Sequence, residues 1–211
     1  KIEWEGKPYF AKITQQINGY GTLTLKFKVA SNDEIYKIRL FDPDSCGTLT
    51  SSLTLSNNVS SAGTCFTIGA NNITLDGAGY TINYSRDSAG YELNSSGYNN
   101  TIIKNAVISQ GYSISDSHSI YIFAMNGGNI SNNTIQTIGT NSIGIYMESS
   151  SNSNTVYGNR IITLNASSDG VRLNFSNSTV ISDNNITVSG VGAYGIRLTS
   201  SINNIISGGS I

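Results

Sequence analysis

The residues of this chain that could do chemistry are few and widely spread. Seven carboxylates occur after the first quarter of the chain: Asp76, Asp87, Glu92, Asp116, Glu148, Asp169 and Asp183. Hydrolysis of a glycosidic bond needs two carboxyl groups flanking the bond, and calcium needs about six to eight converging oxygens. No Asp-Asp pair or Asp-x-Asp string brings two of these acids together. They fall at different places in the local pattern, Asp76 beside a turn, Asp183 within one, Glu148 at a strand end and Asp169 just before a strand. No catalytic residue, metal-ligand set or cofactor is therefore expected. His118, the only histidine, follows Asp116 among serines and reads as a surface or loop residue rather than the base of a triad.

Two other groups stand out. Cys46 and Cys65 lack the CxxC spacing of redox or zinc sites. A disulfide between them would place the chain in an oxidising compartment and contribute about 3 kcal/mol by closing its loop; two buried thiols are the alternative. Glu92, Tyr121, Tyr146, Arg172 and Arg197 align as one outward column when the strand-like strings are stacked. Tyrosine and arginine on a flat face can stack on sugar rings or meet a protein partner, although long side chains also simply cover exposed strands. Asn-x-Ser/Thr sequons are abundant, with Asn58, Asn83, Asn94, Asn165, Asn174 and Asn177 as glycosylation candidates.

These residues need an element to hold them, and the repeats supply it. Gly144-Ile145-Tyr146-Met147, Gly170-Val171-Arg172-Leu173 and Gly195-Ile196-Arg197-Leu198 recur at a spacing of about 25 residues, the period of a solenoid. Apolar residues two apart within each string give the period of a strand. A second register runs alongside, pairing Leu75 with Ile82, Ile103 with Ile108, Ile130 with Ile135, Val156 with Ile161, Ile181 with Ile186 and Ile206 with Ile211. Between these pairs lie Asn105-Ala106, Asn132-Asn133, Gly158-Asn159, Asp183-Asn184 and Gly208-Gly209, types that tolerate left-handed backbone at a sharp turn. The pattern predicts an all-β parallel β-helix of about six coils, with a core about 29 Å long.

Residues 1–42 differ: lysine and glutamate concentrate there, Thr22–Val29 alternates, and Ile35–Phe41 follows as a second strand. They read as a strand-rich cap, or the tail of a preceding β domain, ahead of a solenoid over 43–211 whose first coil starts near Cys46. Charged residues are 12% and net charge is -1, which leaves no footprint for nucleic acid. No apolar run of about 18 residues spans a membrane. The start at Lys1 reads as processing or excision from something longer, and the end at Ile211 as a coil covered by further chain or by another subunit.

The string Gly63-Thr64-Cys65-Phe66-Thr67-Ile68-Gly69-Ala70-Asn71-Asn72-Ile73-Thr74-Leu75-Asp76-Gly77 resembles the opening of right-handed parallel β-helix proteins of the pectin-lyase-like group. The likeness is to its short-repeat branch in archaeal-type surface proteins. The resemblance covers roughly residues 46–211 and implies a fold that hosts lyases, hydrolases, adhesins and structural rods. No catalytic residue of that group carries over to a position here. The expected function is an extracellular, cell-surface structural or adhesive protein without enzymatic activity, a subunit of a fibre, filament or surface layer. End-to-end assembly is expected, the N-terminal segment meeting the open C-terminal coil of a neighbour. The alternative is a carbohydrate-active β-helix enzyme, or a glycan-binding module using the tyrosine–arginine column.

Overall fold

The computed structural model describes residues 45–211 throughout and, in the first 44 residues, the backbone of four strands. The chain divides into two compact units, Lys1–Ser45 and Cys46–Ile211. In the first, Ile2–Trp4 pairs antiparallel with Lys7–Tyr9, and Gly21–Val29 pairs antiparallel with Asn32–Leu40. The strands expected over Thr22–Val29 and Ile35–Phe41 coincide with this second pair, up to Leu40. Asp42-Pro43-Asp44, which reads in the sequence as a turn, lies outside the described residues.

The second unit is a parallel β-solenoid, and no helix occurs among the described residues. Each turn of the chain visits three sheets in sequence. The first sheet has seven strands, from Gly47–Leu49 up to Ile196–Thr199, and the second has seven, from Leu53–Thr54 to Ile205–Ser207. The third has six, from Val59–Ser60 to Asn185–Val188. The strands are short because each alternates only once or twice before a corner.

Like residues stack on like. Phe66, Leu93, Ile120, Ile145, Val171 and Ile196 form one inward column. Leu75, Ile103, Ile130, Val156, Ile181 and Ile206 form the second, and Val59, Ile82, Ile108, Ile135, Ile161 and Ile186 the third. The apolar pairs flanking each turn in the sequence are these second and third columns. From Ile103 to Val171 the column residues are essentially fully buried, and each contributes about 1.5–3 kcal/mol by leaving water. The Cys46–Cys65 disulfide is present. Since Gly47 pairs with Phe66, it ties two consecutive rungs of the first sheet.

The corner between the second and third sheets explains the asparagines. Asn105, Asn132, Gly158, Asp183 and Gly208 take φ between 53° and 64° there, the left-handed geometry that reverses the chain within two residues. The next position faces inward. The Ala106 N–H donates to Asn133 Oδ1 at 3.0 Å, the Asn133 N–H to Asn159 Oδ1 at 3.0 Å, and the Asn159 N–H to Asn184 Oδ1 at 2.9 Å. Each Nδ2 donates in turn to a carbonyl one rung below: Asn133 to Ile103, Asn159 to Ile130 and Asn184 to Val156. One amide thus satisfies an N–H that the strand ladders leave out and adds a second hydrogen bond to a carbonyl of the ladder. Serines do the same work at the corner ahead of the first sheet: Gly90, Ser117 and Ser142 donate their N–H groups to Ser117, Ser142 and Ser168 Oγ, and the Ser142 and Ser168 hydroxyls donate to the Ile114 and Gly139 carbonyls of the rung below.

Replacing Asn159 by alanine strands the Asn133 N–H inside the rod. Chemical denaturation is expected to show a loss of about 1–3 kcal/mol. Asn126→Ala, in a parallel ladder of exposed asparagines that accepts the Asn152 N–H, is expected to cost under about 1 kcal/mol, since water replaces the amide.

Candidate functional site

The outward column of the first sheet runs Thr67, Asn94, Tyr121, Tyr146, Arg172 and Arg197. Tyr121, Tyr146, Arg172 and Arg197 are brought together as the sequence suggested. Glu92 is not: Asn94 holds the place assigned to it. Asn94 is the residue paired with Tyr121 in the sheet, so the expected column was out of register by two residues on that rung. Glu92 instead sits just ahead of Leu93, in the inward position that Ser119, Gly144 and Gly170 hold on later rungs. At Gly144 a Cβ would come within 2.6 Å of both the Gly170 carbonyl and Ile161 Cγ2, so only the lower rungs accept a side chain there.

Beside the column, one position before that inward site, lie Tyr91, His118, Asp169 and Tyr194. Tyr91 stacks on Tyr121 with centroids 5.0 Å apart, and Tyr121 meets Tyr146 at 5.6 Å. His118 meets the Tyr146 ring edge-on at 5.3 Å. The Arg172 guanidinium lies 5.6 Å from the Tyr146 centroid, and that of Arg197 lies 4.2 Å from Tyr194. Glu148, two residues beyond Tyr146 on the same outward side, accepts the Tyr121 hydroxyl at Oε1 and the Tyr146 hydroxyl at Oε2, the latter at 2.6 Å. Burial, then the hydrogen bond to Glu148 and its charge, push both hydroxyls above the usual tyrosine range, so both remain donors.

Asp169 is the anchor of the arginine end. Its side chain is fully buried; Oδ2 accepts Nε of Arg172 at 2.6 Å and pairs with Nε of Arg197 at 3.2 Å, while Oδ1 accepts the Tyr194 N–H at 2.8 Å. The Asp169–Arg172 spacing of three residues across a strand start was the available signal, and reading Asp169 as an isolated acid missed it. Arg172 is therefore not a dispensable surface side chain, because removing it takes a partner from a buried carboxylate.

His118 lies in the connection ahead of Ile120–Phe123, as a loop residue, but it is buried at 7% exposure, which corrects the surface half of its reading. Its Nδ1 accepts the Ile143 N–H at 3.1 Å, so the ring proton resides on Nε2. Burial, and after it the Arg172 charge, pushes its pKa down to about 4. Glu92 is fully buried, with neither carboxyl oxygen hydrogen-bonded among the described residues. Burial pushes its pKa up to about 8. Nearby, the buried Tyr84 hydroxyl bonds Ser117 O and Ser119 Oγ, both at 3.0 Å.

Elsewhere the acids are dispersed. Asp76 pairs with Lys104 at 3.1 Å, and Asp116 accepts from Asn141 at 2.5 Å. No group of three or more His, Cys, Asp or Glu fit to hold a metal occurs among the described residues. Of the sequon asparagines, Asn58 is exposed, and Asn83, Asn94, Asn165, Asn174 and Asn177 are half-buried. Asn165 spends Nδ2 on the Ile138 carbonyl at 2.5 Å, whereas Asn58 and Asn177 accept backbone N–H groups through Oδ1. Comparison with protein-family models, curated proteins and solved structures gave no match.

The two displaced titrations act in opposite directions. His118 gives up its proton more readily in the folded chain, so its stabilising contribution is complete above about pH 6.5 and is lost as pH falls toward 4. Glu92 holds its proton more tightly when folded, so its contribution is complete below about pH 4.5 and is lost as pH rises toward 8. Glu92→Gln is expected to gain about 3 kcal/mol relative to the parent chain between pH 5 and pH 8, measured by denaturation at each pH. A constant difference across that range would show that the Glu92 carboxyl reaches water.

Proposed function

We propose that this chain is an extracellular adhesive and structural module that does no bond-breaking chemistry and holds a saccharide on the tyrosine–arginine face of its first sheet. One observation carries the reading. On that face both carboxylates are already engaged, Glu148 by two tyrosine hydroxyls and Asp169 by two arginines and a backbone N–H. Hydrolysis by paired acids needs one carboxyl free to donate a proton and another free to attack or activate water. Here the acids serve as fixed anchors that hold rings and guanidinium groups in place. Rigid aromatic and arginine side chains prepared in this way lose little entropy on binding. The disulfide and the density of sequons support placement outside the cell, where oxidising conditions and glycan transfer meet.

End-to-end assembly rests on different ground. Leu198, Ile202, Ile205, Ile206 and Ile211 are exposed in the last rung, and a further coil would cover them as well as a neighbouring molecule would. Filament or surface-layer assembly therefore stays a corollary of the adhesive reading rather than a support for it.

Retention of the purified protein on immobilised polysaccharides, with chain-length analysis of the polymers afterwards, tests the proposal. Binding is expected to at least one polymer without shortening it, and to weaken at least tenfold in Tyr146→Ala. Shortened polymer would establish the carbohydrate-active alternative, and failure to retain the protein on any saccharide would refute the reading.

A further inference from the structure

The two rungs at the arginine end carry a charge imbalance at the surface. Two guanidinium groups share one carboxylate, and their depths differ: the Asp169 side chain is 0% exposed, against 16% for Arg172 and 34% for Arg197. The anion is sealed inside while the cations reach solvent. Glu148, the next acid along the face, is turned to the tyrosines of the lower rungs, and His118 beside Arg172 is neutral at physiological pH.

The geometry of the guanidinium groups says what is left over. Each arginine spends Nε on Asp169 and Nη2 on a backbone carbonyl, Arg172 on Ser167 and Arg197 on Gly192, both at 3.3 Å. Among the described residues neither Nη1 has a partner. Arg172 and Arg197 are paired in register on adjacent strands, which puts their backbones about 4.8 Å apart. Tyr146 and Tyr194 hold the two planes from either side. Two pre-oriented donor groups on consecutive rungs, with a net positive charge and an aromatic ring at each end, match an oxyanion.

We infer that Arg172 and Arg197 form an oxyanion-binding site that receives a carboxylate or sulfate group carried by the saccharide of this face. The inference rests on the saccharide-binding reading and narrows it to acidic ligands. Asp169 acts as a positioning residue: it holds the Nε side of both guanidinium groups and leaves both Nη1 groups without a protein partner among the described residues. Tyr194, with its N–H on Asp169 and its ring against Arg197, borders the site.

Three polymers of one backbone separate the possibilities: dextran, carboxymethyl-dextran and dextran sulfate, titrated against the intact chain at low and at physiological salt. Binding is expected for one or both charged polymers, with affinity falling as salt rises, and to be at least tenfold weaker for unmodified dextran. The stronger of the two charged polymers identifies the oxyanion. Arg197→Gln leaves Asp169 with Arg172 and the Tyr194 N–H, so its unfolding midpoint is expected to stay close to that of the parent chain while charged-polymer affinity drops at least tenfold. Titration with inorganic sulfate and with acetate, followed through the Tyr194 amide resonance, supplies a readout that needs no polymer; a saturable shift in the parent chain, absent in Arg197→Gln, is the expected result. Equal binding of neutral and charged dextran, or Arg197→Gln binding as well as the parent, overturns the oxyanion site while leaving saccharide binding in place. No saturable shift with either ion overturns it as well. Retention on no polysaccharide of any kind removes the saccharide reading itself.

Discussion

At three consecutive corners between the second and third sheets the chain leaves its strand ladder while still buried, and one asparagine amide at each carries the connection across. Asn133, Asn159 and Asn184 each accept an N–H from the rung below through Oδ1 and return a hydrogen bond to a carbonyl of that rung through Nδ2. Apolar stacking opposes a slip of one residue, which turns the core side chains to solvent, but it is indifferent to a slip of two, which keeps each side chain on its face. The amide is not indifferent: either shift takes it from its partners and leaves a corner N–H unpaired in the interior. Register in the core columns therefore follows from these corners, and so does register on the outer surface.

That outer register makes the candidate site. Because Ile145, Val171 and Ile196 are stacked inward, Tyr146, Arg172 and Arg197 must stack outward, one rung apart. Spacing set by the sheet, rather than by flexible loops, lets one buried aspartate serve two arginines and one glutamate serve two tyrosines. The interior differs from rung to rung in a related way. Where Ile161 and Ile186 press toward the first sheet, only glycine fits at positions 144 and 170. Lower down, where Tyr84 and Ser117 lie, the same column holds Ser119 and Glu92, and the rod buries a carboxyl that is protonated at neutral pH.

The fold was legible because its two periods are written in residue types: isoleucine, leucine and valine at core positions, and asparagine, aspartate or glycine at the positive-φ corner between the second and third sheets from Asn105 to Gly208. The disulfide was legible too, as the only pairing two cysteines allow. The site was read only in part. Tyr121, Tyr146, Arg172 and Arg197 fell into one column because the later coils keep nearly constant length, whereas on the rung below, where coil length differs, the place given to Glu92 belongs to Asn94. The burial of His118 was missed for another reason. Flanking serines resemble a solvated loop in sequence, yet Ser117 and Ser119 are buried hydrogen-bonding members of the corner. Polar composition distinguishes water from protein partners poorly in a rod whose corners are held by asparagine and serine.

Backbone amide hydrogen exchange at the corners tests this dependence most directly, comparing Ala106, Asn133 and Asn159 with the core strand positions Ile130 and Val156. If side-chain amides hold the register, the three corner N–H groups exchange as slowly as the core strands and lose protection together with them as denaturant is added. Corner amides that exchange at the rate of exposed turns while Ile130 and Val156 remain protected would contradict the account, since the apolar columns would then be keeping register without them.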